Sequence, residues 1–207
     1  MRIALLVAVF VQSFFAGTHS AHSDAPAPWK VALEDEDITV YKRSRASSPY
    51  EEVRAEAVLD GTVSQFTPFF SDPANYKKWV YGALETQLLE STQPLDFIFR
   101  GVFKIPWPFE NRELISRVVI AEQSSPVMLS ATLSHALTSH KASPELVRVE
   151  RFESLWSVVQ DSEQKVRFSI DMYVEPGGKL PPFVVNLVLS RIQLWSIKNL
   201  RRQLVER

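Results

Sequence analysis

A chain of 207 residues with 23 Lys and Arg against 24 Asp and Glu has a formal net charge of −1, which leaves no electrostatic footprint for nucleic acid. An apolar content of 45%, with 11% aromatic residues, excludes a disordered chain. The absence of cysteine excludes disulfide staples and lipoprotein acylation, so a hydrophobic core must carry the fold.

The chain opens with Arg2 and an apolar run from Ile3 to Ala16, interrupted only by Gln12 and Ser13. Ala21-His22-Ser23 then fits a small-x-small cleavage site. This order predicts a secretory signal peptide over residues 1–23 and a periplasmic or secreted protein. The run falls short of the about 20 apolar residues a membrane span needs. The alternative is an uncleaved N-terminal anchor. Residues 24–207 are then enough for one domain with its own core.

Asp24 to Pro28 form a flexible leader. Trp29 and Leu33, at i and i+4, predict a short helix over 29–37. Ile38 to Ser44 suit a first strand. Residues 51–59 alternate Val53, Ala55, Ala57 and Leu59 against Arg54 and Glu56, which predicts a half-buried strand. Thr62 or Ser64 caps a short helix bearing Phe66, Phe69 and Phe70. Ser71-Asp72-Pro73 starts another, with Tyr76 and Trp79. Six strands follow, over 82–91, 95–104, 112–123, 126–135, 146–159 and 165–175, with turn chemistry between them.

Phe97, Phe99 and Phe103 share one strand face, with Gly101 between. In the last strand Val166, Phe168, Ile170, Met172 and Val174 oppose Lys165, Arg167, Ser169, Asp171 and Tyr173. That alternation marks an antiparallel sheet with one apolar face. Pro176-Gly177-Gly178 breaks the strand, and Pro181-Pro182 opens a helix reaching about Glu206. Its first half, including Val184, Val185, Val188, Leu189 and Ile192, is apolar nearly all round, while Lys198, Arg201 and Arg202 make its last turns basic. A helix apolar on most faces is buried on most faces, so the sheet must wrap it.

Four local sequences sharpen this α+β order. Asp37 to Arg43 resembles the opening strand of START domains, and Tyr76-Lys77-Lys78-Trp79-Val80 their second helix. Ile105 to Glu113 resembles their proline-rich turn with its Asn-Arg-acid ending, and Glu175 to Pro181 followed by Val185-Asn186 the lead-in to their last helix. The resemblance covers residues 29–206. It implies a helix-grip fold, in which a curved antiparallel sheet wraps a long C-terminal helix around an elongated cavity for one lipid or sterol-like ligand.

Expected cavity residues are Phe97, Phe99, Trp107, Arg112, Phe168, Ile170, Met172, Val188 and Ile192. Two of these have open alternatives. Trp107, between two prolines, is a packed loop anchor or a gate that touches membrane. Arg112 is an outward strand residue or a buried charge, and if buried it requires a carboxylate or lipid-headgroup partner. Trp195 faces either the sheet or a membrane.

Catalysis finds little support. His19 and His22 fall in the expected signal peptide, His135 and His140 lie on or beside a turn, and Asp35-Glu36-Asp37 reads as a solvated acidic run. No nucleophile, phosphate-loop or zinc-protease motif occurs. The expectation is a monomeric, non-enzymatic carrier or sensor without cofactor or metal, making transient membrane contact. The rivals are a cyclase or aromatase on the same fold, and an interaction module with a collapsed core. The lid is either the C-terminal helix or the loop at 105–110.

Overall fold

The computed structural model describes residues 26–206, so the expected signal peptide lies outside the described residues. Ten strands form one sheet: β1 Lys30–Asp35, β2 Ile38–Ser44, β3 Glu51–Asp60, β4 Ala83–Gln93, β5 Asp96–Phe103, β6 Arg112–Ser124, β7 Val127–His135, β8 Val147–Arg148, β9 Arg151–Ser162 and β10 Lys165–Glu175. Their spatial order is β1-β2-β3-β10-β9-β7-β6-β5-β4, antiparallel throughout, with the two-residue β8 added parallel to the start of β6. The α-helices are α1 Thr67–Ser71, α2 Tyr76–Trp79 and α3 Pro182–Val205, and 3-10 turns at Val63–Phe66 and Pro73–Asn75 lead into the first two.

Cross-strand register explains how the inner face accepts large side chains. Ala57 lies opposite Phe168, and Ala55 opposite Ile170. Small residues on β3 therefore leave room for bulky ones on β10, as close packing requires. The two short helices bridge β3 and β4. Thr62 donates its backbone N–H to Gln65 Oε1 at 2.8 Å, and Asp72 Oδ1 accepts from the Ala74 N–H at 2.9 Å. These caps start the 3-10 turns ahead of α1 and α2, and Phe66, Phe69 and Phe70 between them are all buried.

Gly177 and Gly178 carry φ of +69° and +66°, a conformation that suits glycine. They turn the chain from β10 back across the inner face into α3. The C-terminal half of α3 is fastened firmly. Leu194, Ile197 and Leu200 are buried. Lys198 pairs with Asp35 at 2.7 Å, and Arg201 reaches Glu36 at 3.0 Å and also Asp37. The Tyr81 N–H donates to Ser196 Oγ at 3.0 Å. The acidic run at 35–37 is therefore ion-paired to α3 rather than merely solvated.

Two expected elements differ. Residues 30–35 form an edge strand, not a helix. Glu36, at φ +57°, makes the tight turn that folds this segment back on β2. Trp29 meets the guanidinium groups of Arg43 and Arg54, 4.3 and 4.8 Å from its ring, while Leu33 packs on the core. The two residues thus answer to different surroundings and share no helical face. Segment 146–159 is two strands, not one. After β8, the Val149 N–H bonds to the Glu113 carbonyl and the Glu150 N–H to that of Glu175. The chain then crosses from β6 to begin β9 beside β10.

Candidate functional site

The space between sheet and helices has a filled end and an open end. At the filled end aromatic rings interlock. Phe168 meets Phe66 and Phe70 at centroid distances of 6.0 and 6.4 Å, and Phe70 meets Trp156 at 5.5 Å. Tyr76 and Trp79 stand edge-on to Trp156 at 5.2 and 4.9 Å. The Tyr76 hydroxyl donates to the Phe70 carbonyl at 2.6 Å. Burial, with Asp72 adding to it, pushes this phenol far above the usual tyrosine range.

Beyond Tyr76 and Trp156 the packing opens into a cavity of about 140 Å³. Its sheet side is built by Phe99 and Phe103 of β5, Leu114 of β6, Leu133 of β7, Phe152 and Trp156 of β9, and Met172 and Val174 of β10. These positions all lie toward one end of the curved sheet. Gly101 makes room there, because a Cβ at this position would stand 2.7 Å from the Phe103 ring and 3.3 Å from that of Phe99. The opposite side is the N-terminal half of α3, through Val184, Val185, Val188, Leu189 and Ile192. Leu180 and residues 80–82 and 104–106 close the rim.

Arg112 is the charged group set deepest in this surface, only 2% exposed. Its Nε donates to the Pro176 carbonyl at 2.9 Å, its Nη2 to that of Gly177 at 3.1 Å, and its Nη1 to that of Glu110. Burial lowers its pKa, opposed by Glu110 and Tyr50 at longer range; a guanidinium nonetheless stays charged. The sequence required a carboxylate or headgroup for a buried Arg112. The protein instead supplies three backbone carbonyls from two separate segments. Lys104 is the other cation of the rim and is exposed.

Adjacent Glu113 points to the outer face of β6 and is fully buried. Arg100 Nε and Arg148 Nη2 hold it at 2.5 and 2.7 Å, and His140 Nε2 lies 3.7 Å away. Burial pushes its carboxyl up, but hydrogen bonds from the two guanidinium groups outweigh this and keep it below the usual glutamate range. The cluster ties the 136–146 loop to the sheet.

Of the residues singled out from sequence, Phe99, Arg112, Met172, Val188 and Ile192 meet around the cavity. Phe97, Phe168 and Ile170 do not; they are buried in the packed core. Phe168 is on the same face of β10 as Met172, but the turn at 63–66 and α1 cover it with Phe66 and Phe70. Trp107 is 92% exposed on the turn between β5 and β6, so it neither anchors that turn by packing nor lines the cavity. Trp195 is half exposed and stacks on Tyr81 at 6.3 Å. Sequence reasoning missed Tyr76, Phe152 and Trp156 as lining residues. The aromatic pair Phe152 and Trp156, spaced by four in a strand and hence on one face, was the available signal. Among the described residues no three His, Asp or Glu gather to hold a metal.

Comparison with known proteins places these features. The START domain family model matches residues 20–206. An uncharacterized protein of Pseudomonas aeruginosa is 22% identical over 204 residues, spanning 97% of both chains. Among solved structures, a STAR-related lipid transfer protein from Xanthomonas axonopodis superposes with a TM-score of 0.78 at 23% identity, covering 85% of this chain and 98% of that one. Human StAR-related lipid transfer protein 5 gives 0.77 at 17% identity, covering 86% of each. A Streptomyces aromatase/cyclase shares the fold more distantly, at 0.53 and 12% identity over 75% of this chain and 95% of that one. With the family match spanning nearly the whole chain and a sheet that grips α3, this protein belongs to the START domain family.

Proposed function

We propose that this protein binds one hydrophobic ligand, a lipid or sterol-like molecule, in the cavity under α3, as a carrier or sensor. The observation that carries the reading is the lining itself. Apart from Arg112 and the rim, it presents aliphatic and aromatic carbon. Each ligand methylene buried there contributes roughly 0.8 kcal/mol, so about ten offer a gross 8 kcal/mol, the scale of micromolar binding before ordering costs.

A volume of about 140 Å³ is small for such a ligand, since pockets for drug-sized molecules span roughly 300–1,000 Å³. Loading therefore requires the mouth to widen. The N-terminal half of α3 is the less fastened half: Phe183 and Leu187 are 72% and 62% exposed, Gly177-Gly178 precede it, and its side-chain tie is Asn186, which accepts from the Glu51 N–H at 3.0 Å and donates to the Pro49 carbonyl at 3.1 Å. The C-terminal half stays fastened to β1 and the turn after it. Exposed Phe183, Leu187 and Trp107 around the mouth suit transient contact with a bilayer. The leader-like residues 1–23 favour action in the periplasm or outside the cell.

Holding is favoured over conversion because of what the cavity offers chemically. Its titratable groups among the described residues are two cations, Arg112 and Lys104, and two phenols: Tyr76, whose hydroxyl already donates to a carbonyl, and Tyr81, half exposed at the rim. An aromatase/cyclase shares the fold, but fold does not decide function. Native mass spectrometry of the gently purified protein tests the reading. The expected spectrum shows a one-to-one adduct of lipid mass that organic solvent removes. Bare polypeptide that also fails to take up offered lipids would overturn it.

A further inference from the structure

The buried charge in the cavity surface lacks a counter-ion among the described residues. Arg112 and Glu113 are consecutive on β6, point to opposite faces, and are 2% and 0% exposed. Glu113 is met by two guanidinium groups. Arg112 is met only by carbonyl dipoles, and among the described residues no carboxylate lies within ion-pair distance of it. A buried cation held by neutral acceptors alone is costly to maintain. Three of its five N–H groups are engaged, which leaves donors for a further acceptor.

The surroundings have the same sign. Lys104 lines the rim and forms no ion pair among the described residues. α3 starts beside the mouth with no acidic residue in its first turn, so the positive end of its dipole stands uncompensated there. An apolar chamber whose only strong electrostatic feature is positive is complementary to a molecule with one negative end.

We propose that the ligand is an anionic amphiphile, whose carboxylate or phosphate head meets Arg112 and Lys104 while its hydrocarbon lies along Phe99, Met172 and Val188. This rests on the hydrophobic-ligand reading above and narrows it to a chemical class. A guanidinium presents a planar fork that matches either head, and charge-assisted hydrogen bonds are about twice as strong as neutral ones. The carbonyls now occupying Arg112 belong to the β5–β6 turn, through Glu110, and to the lead-in of α3, through Pro176 and Gly177. One side chain thus pins both edges of the mouth. An anion that draws the guanidinium toward itself weakens both pins together, so head-group recognition and widening of the mouth become one event.

A tail-matched series on the full chain tests this: palmitic acid, hexadecyl phosphate and hexadecanol, each displacing a fluorescent fatty-chain probe. The acid, the phosphate or both are expected to bind at least about tenfold more tightly than the alcohol, the range of one charged hydrogen bond. Whichever is tighter names the head. Acetate and inorganic phosphate at millimolar concentration are expected to displace nothing, and displacement by them would overturn the proposal in favour of a simple ion site. Arg112→Met should abolish the preference. Because Arg112 also ties two segments, exposed Lys104→Met provides the variant that folds, with weaker binding of the anions and unchanged binding of the alcohol. Equal affinity of all three ligands for the unmodified protein would overturn the anionic class and leave hydrophobic binding intact. Binding of none would remove both.

Discussion

The two ends of the interior are built on the same sheet face yet behave as different materials. At one end the turn at 63–66, α1 and α2 lay Phe66, Phe70, Tyr76 and Trp79 onto Phe168 and Trp156, and the rings interlock. At the other, a single helix spans a concave surface that it does not fill, and a cavity remains under Val184, Val188 and Ile192. Both are walled mainly by aliphatic and aromatic side chains. The difference shows that hydrophobic composition fixes where a core lies, whereas the number of covering elements fixes whether it is solid or hollow.

The largest test of that contrast is truncation in the filled end. Phe168→Ala should destabilise the protein by about 3–5 kcal/mol in urea unfolding, because the rings around it cannot collapse into the gap. A loss under about 1 kcal/mol would mean that this end is as loosely packed as the other.

Enlargement separates the two ends more sharply. Phe168→Trp should cost about 1–3 kcal/mol by overpacking and leave ligand affinity unchanged. Val188→Phe has space to enter, so it should cost less than about 1 kcal/mol and displace ligand. The reverse pattern in paired unfolding and binding measurements would exchange the roles assigned to the two ends.

Acid offers a third comparison. The depressed carboxyl of Glu113 contributes stability that is complete above its ordinary pKa of 4.5 and is lost as pH falls through the lower folded value. The ties to Arg100 and Arg148 lie behind the cavity end of β6. Below about pH 4.5 amide exchange in β6 and the 136–146 loop should therefore quicken before that in 63–79. Simultaneous loosening of both regions would show that the cluster does not stabilise its own end selectively.

The smallest effect is expected at the fastening of α3. Lys198→Ala breaks a partly exposed pair with Asp35 and should change stability by no more than about 0.5 kcal/mol. A larger loss in thermal unfolding would mean that the ion pairs, not Leu194, Ile197 and Leu200, hold that half of the helix.

Much of the frame was legible because it depends on local pattern. The alternation of Val166, Phe168, Ile170, Met172 and Val174 gave β10 and its inward face, and the apolar run from Val184 to Ile192 gave the helix α3 but not its expected burial on most faces. Val185 and Leu189 are buried while Phe183 and Leu187 are exposed, because the sheet grips one side only. The helix expected at 29–37 failed because Trp29 answers to Arg43 and Arg54, neighbours that only strand pairing brings close. The site was legible at the level of faces only. Phe168 and Met172 point the same way from one strand, and what covers each decides which is packed and which is lining. That depends on where α1 and α3 land. Arg112 was legible as a residue of interest, but two of its three carbonyl partners, Pro176 and Gly177, come from a turn distant in sequence and left no local pattern.

The most direct test of a hollow, ligand-holding end is amide exchange by mass spectrometry with and without palmitic acid. Slower exchange confined to 104–112 and 176–192, with 63–79 unchanged, is the result this account requires. Protection spread evenly over the chain, or found in 63–79 and absent from the first half of α3, would contradict it.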